Sequence, residues 1–242
     1  MSVAAAIPNL PLLFVIGDSI SIHYGAALEQ RLSGRFHYDR KRDNAGAPRA
    51  ESNLDVPNGA NGGDSAMVLA YLRQRRAVSP LAVDILLMNC GLHDIKTDPL
   101  HRSRQIEAAA YEANLRAIVA VAATMAQSLA WVRLTPVSAA VHNSRQTAFH
   151  RCEQDVDDYN AIADRVMAEH HITTFDLHGF TLPFLPAGIC DHVHFSEQVR
   201  EQQAQFLAEN LMAWWRSRAS CSSIKVPSRH APPPAGHTTR RG

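Results

Sequence analysis

Short, wholly apolar runs alternate along this chain with longer stretches whose apolar residues recur every three or four positions. Leu12–Ile16, Val83–Met88 and Leu129–Leu134 are unbroken apolar or nearly apolar runs, which predicts strands buried on both faces. Ile172–Phe175 is a shorter, β-branched run, and Phe36–Tyr38 fits an edge strand. Between them lie helical stripes: Ile20–Leu32; Ser65–Arg75 with Val68, Leu69 and Leu72 on one face; Ala-rich Ile106–Met125; and Val156, Tyr159, Ile162 and Val166. A last amphipathic stripe carries Val199, Phe206, Leu207, Leu211 and Trp214, with Ser196 placed to cap it. The strict alternation of strand and helix predicts an α/β domain around a parallel sheet with right-handed crossovers. Chemistry in such a domain belongs in the loops beyond the carboxyl ends of the strands. Here those loops are Gly17–Ser19, Asn44–Asp64, Asn89–Lys96, Pro136–Cys152 and Leu177–Phe195.

Composition narrows the classes. At 242 residues with 46% hydrophobic and 19% charged side chains, the chain is long enough for one well-buried core. Its 24 Lys+Arg against 23 Asp+Glu leave a net charge of +1, which offers no basic footprint for nucleic acid. No apolar run is long enough to span a membrane, and no basic segment precedes the apolar N-terminus, so no signal peptide is read there and a cytoplasmic location is expected. The four cysteines form no C-x-x-C pair. Residues 1–218 are expected to form the domain. Residues 219–242, rich in Ser, Pro and Arg with no acidic residue, are expected to be a disordered tail.

Four segments carry candidate chemistry. In Gly17-Asp18-Ser19 a buried strand ends at a glycine and a serine opens the next helix, where helix N–H groups favour developing negative charge. An Asp or Ser at this position also serves as an ordinary helix cap. Asp191-His192-Val193-His194 precedes the last helix, and an Asp three residues before a His can hold one imidazole nitrogen while the other takes a proton from a serine. Asn89-Cys90-Gly91-Leu92-His93-Asp94 follows the second apolar strand, and Gly62-Gly63-Asp64-Ser65 leads into a helix. Lys96 and Arg102, just beyond, could touch substrate, and the Arg40-Lys41-Arg42 run could attract an anionic one, but the expectation ranks a solvated edge first for the run and gives little weight to the two contacts.

In this order, the four segments resemble the blocks of the SGNH or GDSL hydrolase family. Gly17-Asp18-Ser19 matches the first block and Asp191-x-x-His194 the last, while Gly63-Asp64-Ser65 and Gly91-Leu92-His93-Asp94 look like the intervening two. The resemblance implies a flavodoxin-like three-layer α/β/α fold with a five-stranded parallel sheet, and cofactor-free, metal-free ester hydrolysis. It implies Ser19 as nucleophile, His194 as base and Asp191 as its orienter, with Asp18 at the site. The oxyanion would be held by the Ser19 and Gly63 N–H groups and by the third-block side chain. That side chain is Asn in the family and His93 here; Asn89 is the alternative donor. An imidazole there would make the strength of the hole depend on pH. The expected substrate is a small or polar ester, with acetylated carbohydrate among the candidates. Two other readings stand beside this one: a metal site built from Asp191, His192, His194 and His93, and a non-catalytic binding protein.

Overall fold

The computed structural model describes residues 10–43 and 49–222. Strands β1 (Leu12–Ile16), β2 (His37–Arg40), β3 (Val83–Met88), β4 (Ala126–Val132) and β5 (Thr173–Phe175) form one sheet in the order β2-β1-β3-β4-β5. Every pairing is parallel. The long helices are α1 (Ser19–Leu32), α2 (Ser65–Val78), α3 (Ala108–Ala122), α5 (Glu153–Glu169) and α7 (Glu197–Ser222). Helix α1 packs with α7, and α3 packs between α2 and α5. With right-handed crossovers this puts one helical layer on each face of the sheet.

The register makes the carboxyl ends of the central strands coincide. Ile16 pairs with Met88, Met88 with Trp131, and Val132 with Phe175. At the opposite edge Asp84 accepts from Leu12 N at 2.8 Å and from Gln127 Nε2 at 2.8 Å, which ties three strand starts together. The chain reverses its direction of winding between β1 and β3, and ligand crevices of open α/β sheets lie at such points. Trp131, Leu13, Ile16, Ile85 and Leu86 fill the core with almost no exposure.

Several boundaries differ from those the pattern predicts. Strand β4 starts at Ala126, through Gln127 and Ser128, because Ala126 pairs with Val83 at the rim of the sheet. It stops before Leu134 because Asn160 on α5 captures that residue: Leu134 N donates to Asn160 Oδ1 at 2.8 Å, and Asn160 Nδ2 donates to Leu134 O at 3.2 Å. Strand β2 lies at the edge as expected but runs to Arg40, with Phe36 buried just ahead of it. Helix α3 is trimmed at both ends: Ile106 N donates to Asp94 O at 3.1 Å, and the Met125 carbonyl accepts from Val83 N at 3.3 Å. Two short helices, α4 (Ala139–Arg145) and α6 (Leu177–Thr181), have no strong apolar stripe in sequence. The Ser196 carbonyl accepts from Arg200 N at 2.9 Å, closing the first turn of α7. That helix continues to Ser222, four residues into the expected tail; residues 223–242 lie outside those described.

Asn160→Ala leaves the buried Leu134 N–H and C=O without their partner, at a cost of about 1–3 kcal/mol for each group left unsatisfied. Chemical denaturation is expected to show a lower midpoint with an unchanged slope.

Candidate active site

Ser19 is placed by the strand-to-helix turn after β1. Gly17 is required there, because a Cβ would lie 2.7 Å from both Cβ and Oγ of Ser21. Asp18 is the N-cap of α1, its Oδ1 accepting from Ile20 N at 3.0 Å. That gives Asp18, expected at the site, a capping role through Oδ1, while its Oδ2 is buried without a hydrogen-bond partner among the described residues. Ser19 is then the first helical residue, at the positive end of the α1 dipole, where helix geometry provides no intrahelical acceptor for its N–H. Arg40, expected to be solvated, turns inward and donates to Ser21 O at 2.8 Å, bracing this first turn.

The loop before α7 builds the second half. Asp191 Oδ1 accepts from the N–H groups of Val193 and His194, both at 2.8 Å. Its Oδ2 meets His194 Nδ1 at 2.6 Å. Cys190 N donates to His194 O and Ser196 N to Gly188 O, each at 2.8 Å, so the loop is closed on itself. Burial disfavours charge on Asp191, but the His194 contact and the two backbone donors hold its carboxyl well below the ordinary range. A carboxylate only accepts, so the proton sits on His194 Nδ1 and Nε2 is left to accept. Ser19 Oγ lies 2.8 Å from that Nε2. Both Ser19 and His194 are buried, and the His23 ring, one turn along α1, packs 4.8 Å from His194. Burial lowers the His23 pKa to about 4, so it is a neutral wall and not a competing base.

The remaining expected residues fare differently. Gly63 has φ +72°, and a Cβ there would meet Met67 Sδ at 2.6 Å and Pro57 Cβ at 2.8 Å. Its N–H donates to Asn61 Oδ1 at 3.0 Å, which corrects the expectation of a free donor. Asn89 Nδ2 donates to Val132 O at 2.7 Å, so one of its two amide protons secures the end of β4. His93 is 2% exposed, and its Nδ1 is buried with no partner among the described residues. Burial, then the charges of Lys96 and Arg151, push its pKa well below the ordinary histidine value. The imidazole is therefore neutral near pH 7, and the expected pH-dependent charge on it does not arise. Asp94 stays within the fold: it accepts from Ser65 N at 3.0 Å and from the Ser65 hydroxyl, and its pKa rises to about 7 through burial.

A sequence model of the GDSL-like lipase/acylhydrolase family matches residues 15–201, a span that holds all four segments. The chain belongs to this family. It is an ester-hydrolysing enzyme. No curated protein matches the sequence. Among solved structures, the hydrolase is similar to the acetyl xylan esterase AlAXEase, with 13% identity, a TM-score of 0.60, and 82% of this chain and 98% of that one covered. An acetylxylan esterase from Geobacillus stearothermophilus matches at 15% identity and TM-score 0.59, covering 88% and 95% of the two chains. A carbohydrate acetylesterase from Sinorhizobium meliloti matches at 16% identity and TM-score 0.55, covering 84% and 99%. No described helix of the hydrolase is long and apolar enough to cross a membrane.

The side chains of Asp191, His192 and His194 have potential metal-ligating atoms within 4.8 Å of one another, and His93 is not among them. All the ring nitrogens of these two histidines are already engaged. His194 spans Asp191 and Ser19, while His192 contacts His142 Nδ1 at 3.1 Å and Asp55 Oδ2 at 3.1 Å. Asp55 and His142 were not legible as site residues: Asp55 comes from an irregular segment before α2 and His142 from the unpredicted α4. Together they clamp the Asp191–His194 loop to two other loops of the hydrolase. His142 is buried, and desolvation lowers its pKa to about 4.

Gly63→Ala forces a positive φ on an L-residue and two close contacts, a strain of about 1–3 kcal/mol. The variant is expected to melt at lower temperature and to lose turnover, measured by thermal denaturation and by hydrolysis of a 4-nitrophenyl ester.

Proposed function

We propose that this hydrolase cleaves small or polar carboxylic esters through an acyl-enzyme on Ser19. The observation that carries the reading is the continuous chain Asp191–His194–Ser19, with contacts of 2.6 and 2.8 Å. Ser19 Oγ attacks the ester carbonyl while His194 Nε2 takes its proton, and Asp191 stabilises the imidazolium that forms. The tetrahedral oxyanion is met by the Ser19 N–H at the α1 N-terminus and by an N–H of neutral His93. His194 then returns the proton to the departing alkoxide. Water, activated by the same nitrogen, releases the acid and restores Ser19. Gly63 N–H joins the oxyanion donors only if it leaves Asn61 Oδ1. Acetylated carbohydrate is supported as a substrate class by the names of the similar structures and by the polar loops around Ser19.

Ser19→Ala is expected to lower kcat by at least about 10³-fold with an unchanged melting temperature. A fluorophosphonate is expected to label the parent protein at Ser19 and to leave the variant unlabelled. Turnover that survives in a folded Ser19→Ala protein sinks the serine mechanism, and folded wild-type protein that neither turns over esters nor takes the label points to a binding role.

His93→Ala is expected to lower kcat by about 10²–10³-fold with little change in KM, the size associated with one oxyanion donor. His93→Asn is expected to recover part of that loss. Because the depressed pKa keeps His93 neutral throughout, the wild type and the Asn variant are expected to share one pH–rate profile from about pH 6 to 8. A near-normal kcat in the Ala variant refutes the donor role.

A further inference from the structure

Two cations beside this site have no contacting acid. Residues Thr97 and His150 form an antiparallel bridge, with Thr97 N donating to His150 O at 2.9 Å and His150 N donating to Thr97 O at 2.8 Å. Their neighbours, Lys96 and Arg151, are thereby set opposite each other. Like charges facing across a bridge destabilise it, so the fold retains this pair at a cost. Both pack on one ring: Lys96 Nζ lies 4.5 Å from the Phe149 centroid and Arg151 Cζ 4.9 Å from it.

Arg151 is 3% exposed. The only hydrogen bond its side chain makes among the described residues is from Nε to Leu92 O at 2.7 Å, and Nη1 is buried with no partner. Lys96 Nζ donates to the carbonyl oxygen of Asp55 at 3.1 Å, leaving two of its protons. Desolvation lowers the Lys96 pKa to about 8 and that of Arg151 to about 10, so both are mainly charged at neutrality. Neither makes an ion pair among the described residues, and residues 1–9, 44–48 and 223–242 contain no Asp or Glu. The acids nearest in effect make their contacts elsewhere: Asp55 with His192, Asp191 with His194, Asp64 with Met67 N and Gln105 Nε2, and Asp18 through Oδ1 with the α1 cap, its Oδ2 buried without a hydrogen-bond partner among the described residues. A buried guanidinium without a carboxylate in contact is costly unless an anion completes it.

The location is set by the same contacts. Leu92, which holds Arg151, adjoins His93, and Asp55, which holds Lys96, also holds His192, two residues from His194. We propose that Lys96 and Arg151 form an anion subsite beside Ser19, and that the ester this hydrolase turns over carries a carboxylate or phosphate group. This names the substrate class of the serine-esterase reading above and rests on it. The anionic group docks on the Arg151 fork and the Lys96 ammonium, and the carbonyl is thereby oriented toward Ser19 Oγ.

The test compares neutral and anionic esters of matched reactivity. Phenyl acetate against 4-acetoxybenzoate and 4-acetoxyphenyl phosphate places a carboxylate or a phosphate on the alcohol side. 4-Nitrophenyl hexanoate against mono-4-nitrophenyl adipate places a carboxylate on the acyl side, the longer chain disfavouring its attack on its own ester. At least one anionic ester is expected to exceed its neutral partner in kcat/KM by about 10- to 100-fold, mainly through KM, with the advantage shrinking as salt rises. Lys96→Gln and Arg151→Gln are expected to cut that ratio about tenfold or more, and Arg151→Lys to retain part of it. Calorimetric titration of the preferred anionic ester into Ser19→Ala protein reads the subsite without turnover, and this binding is expected to weaken in the Ser19→Ala/Lys96→Gln double variant. That partly exposed position also serves if Arg151→Gln fails to fold. Equal or better turnover of the neutral ester in every pair, or an anionic preference untouched by Lys96→Gln, overturns the subsite. If Ser19 is labelled and neutral esters are hydrolysed without that preference, the esterase reading stands and the subsite alone falls.

Discussion

The hydrogen bond between Ser19 Oγ and His194 Nε2 joins residues 175 positions apart, and the rest of the architecture serves to hold it at 2.8 Å. Ser19 is delivered by the first strand and His194 by the turn before the last helix, so the contact requires the whole sheet to be assembled in register. The pairing of Ile16 with Met88 and of Met88 with Trp131 brings the post-strand loops to one rim. The packing of α1 on α7 then holds the first and last helices against each other. A hydroxyl is a poor nucleophile without a base in contact, so this one distance links the packing of the core to reactivity.

The electrostatic setting follows from burial. His23 and His142 are held neutral around His194, and His93 is neutral by the same cause. Asp191 is the exception, kept ionised by two backbone N–H groups and one imidazole. The environment thus separates one ionised acid from a set of neutral rings, which lets a positive charge develop on His194 beside a compensating carboxylate. Lys96 and Arg151 lie outside that compensation, and their charge faces the same loops.

The fold was legible to the extent that burial is two-sided. β1 and β3 are unbroken except for Asp84, whose carboxylate has a job at the strand starts, and their boundaries could be read directly. β4 was misplaced because its limits depend on long-range partners: Val83 pairs with Ala126 at one end, and Asn160 captures Leu134 at the other. The contacts among Asp191, His194 and Ser19, the triad proposed above, were legible because each residue sits in a short segment with its own local logic. Arg151, Asp55 and His142 were not, because their meaning lies in a bridge and a clamp between segments distant in sequence. The loop Pro136–Cys152, beyond the carboxyl end of β4, was the one signal that pointed to Arg151. The sequence also suggested Asn89 and a free Gly63 N–H as oxyanion donors; Val132 O, which takes one Asn89 amide proton, and Asn61 Oδ1, which takes the Gly63 N–H, were not visible as partners beforehand.

The turn that carries Asp191 and His194 closes through bonds spanning only a few residues, so the basic half of the machinery is assembled from neighbours. The nucleophilic half has no such independence, since Ser19 becomes more than an ordinary alcohol only when that distant imidazole arrives. A chain opened locally at α7 therefore keeps its Asp191–His194 pair but leaves that pair nothing to deprotonate. On the serine mechanism proposed above, any loosening of α7 from α1 parts the base from the nucleophile, so the fold acts as its own safety catch.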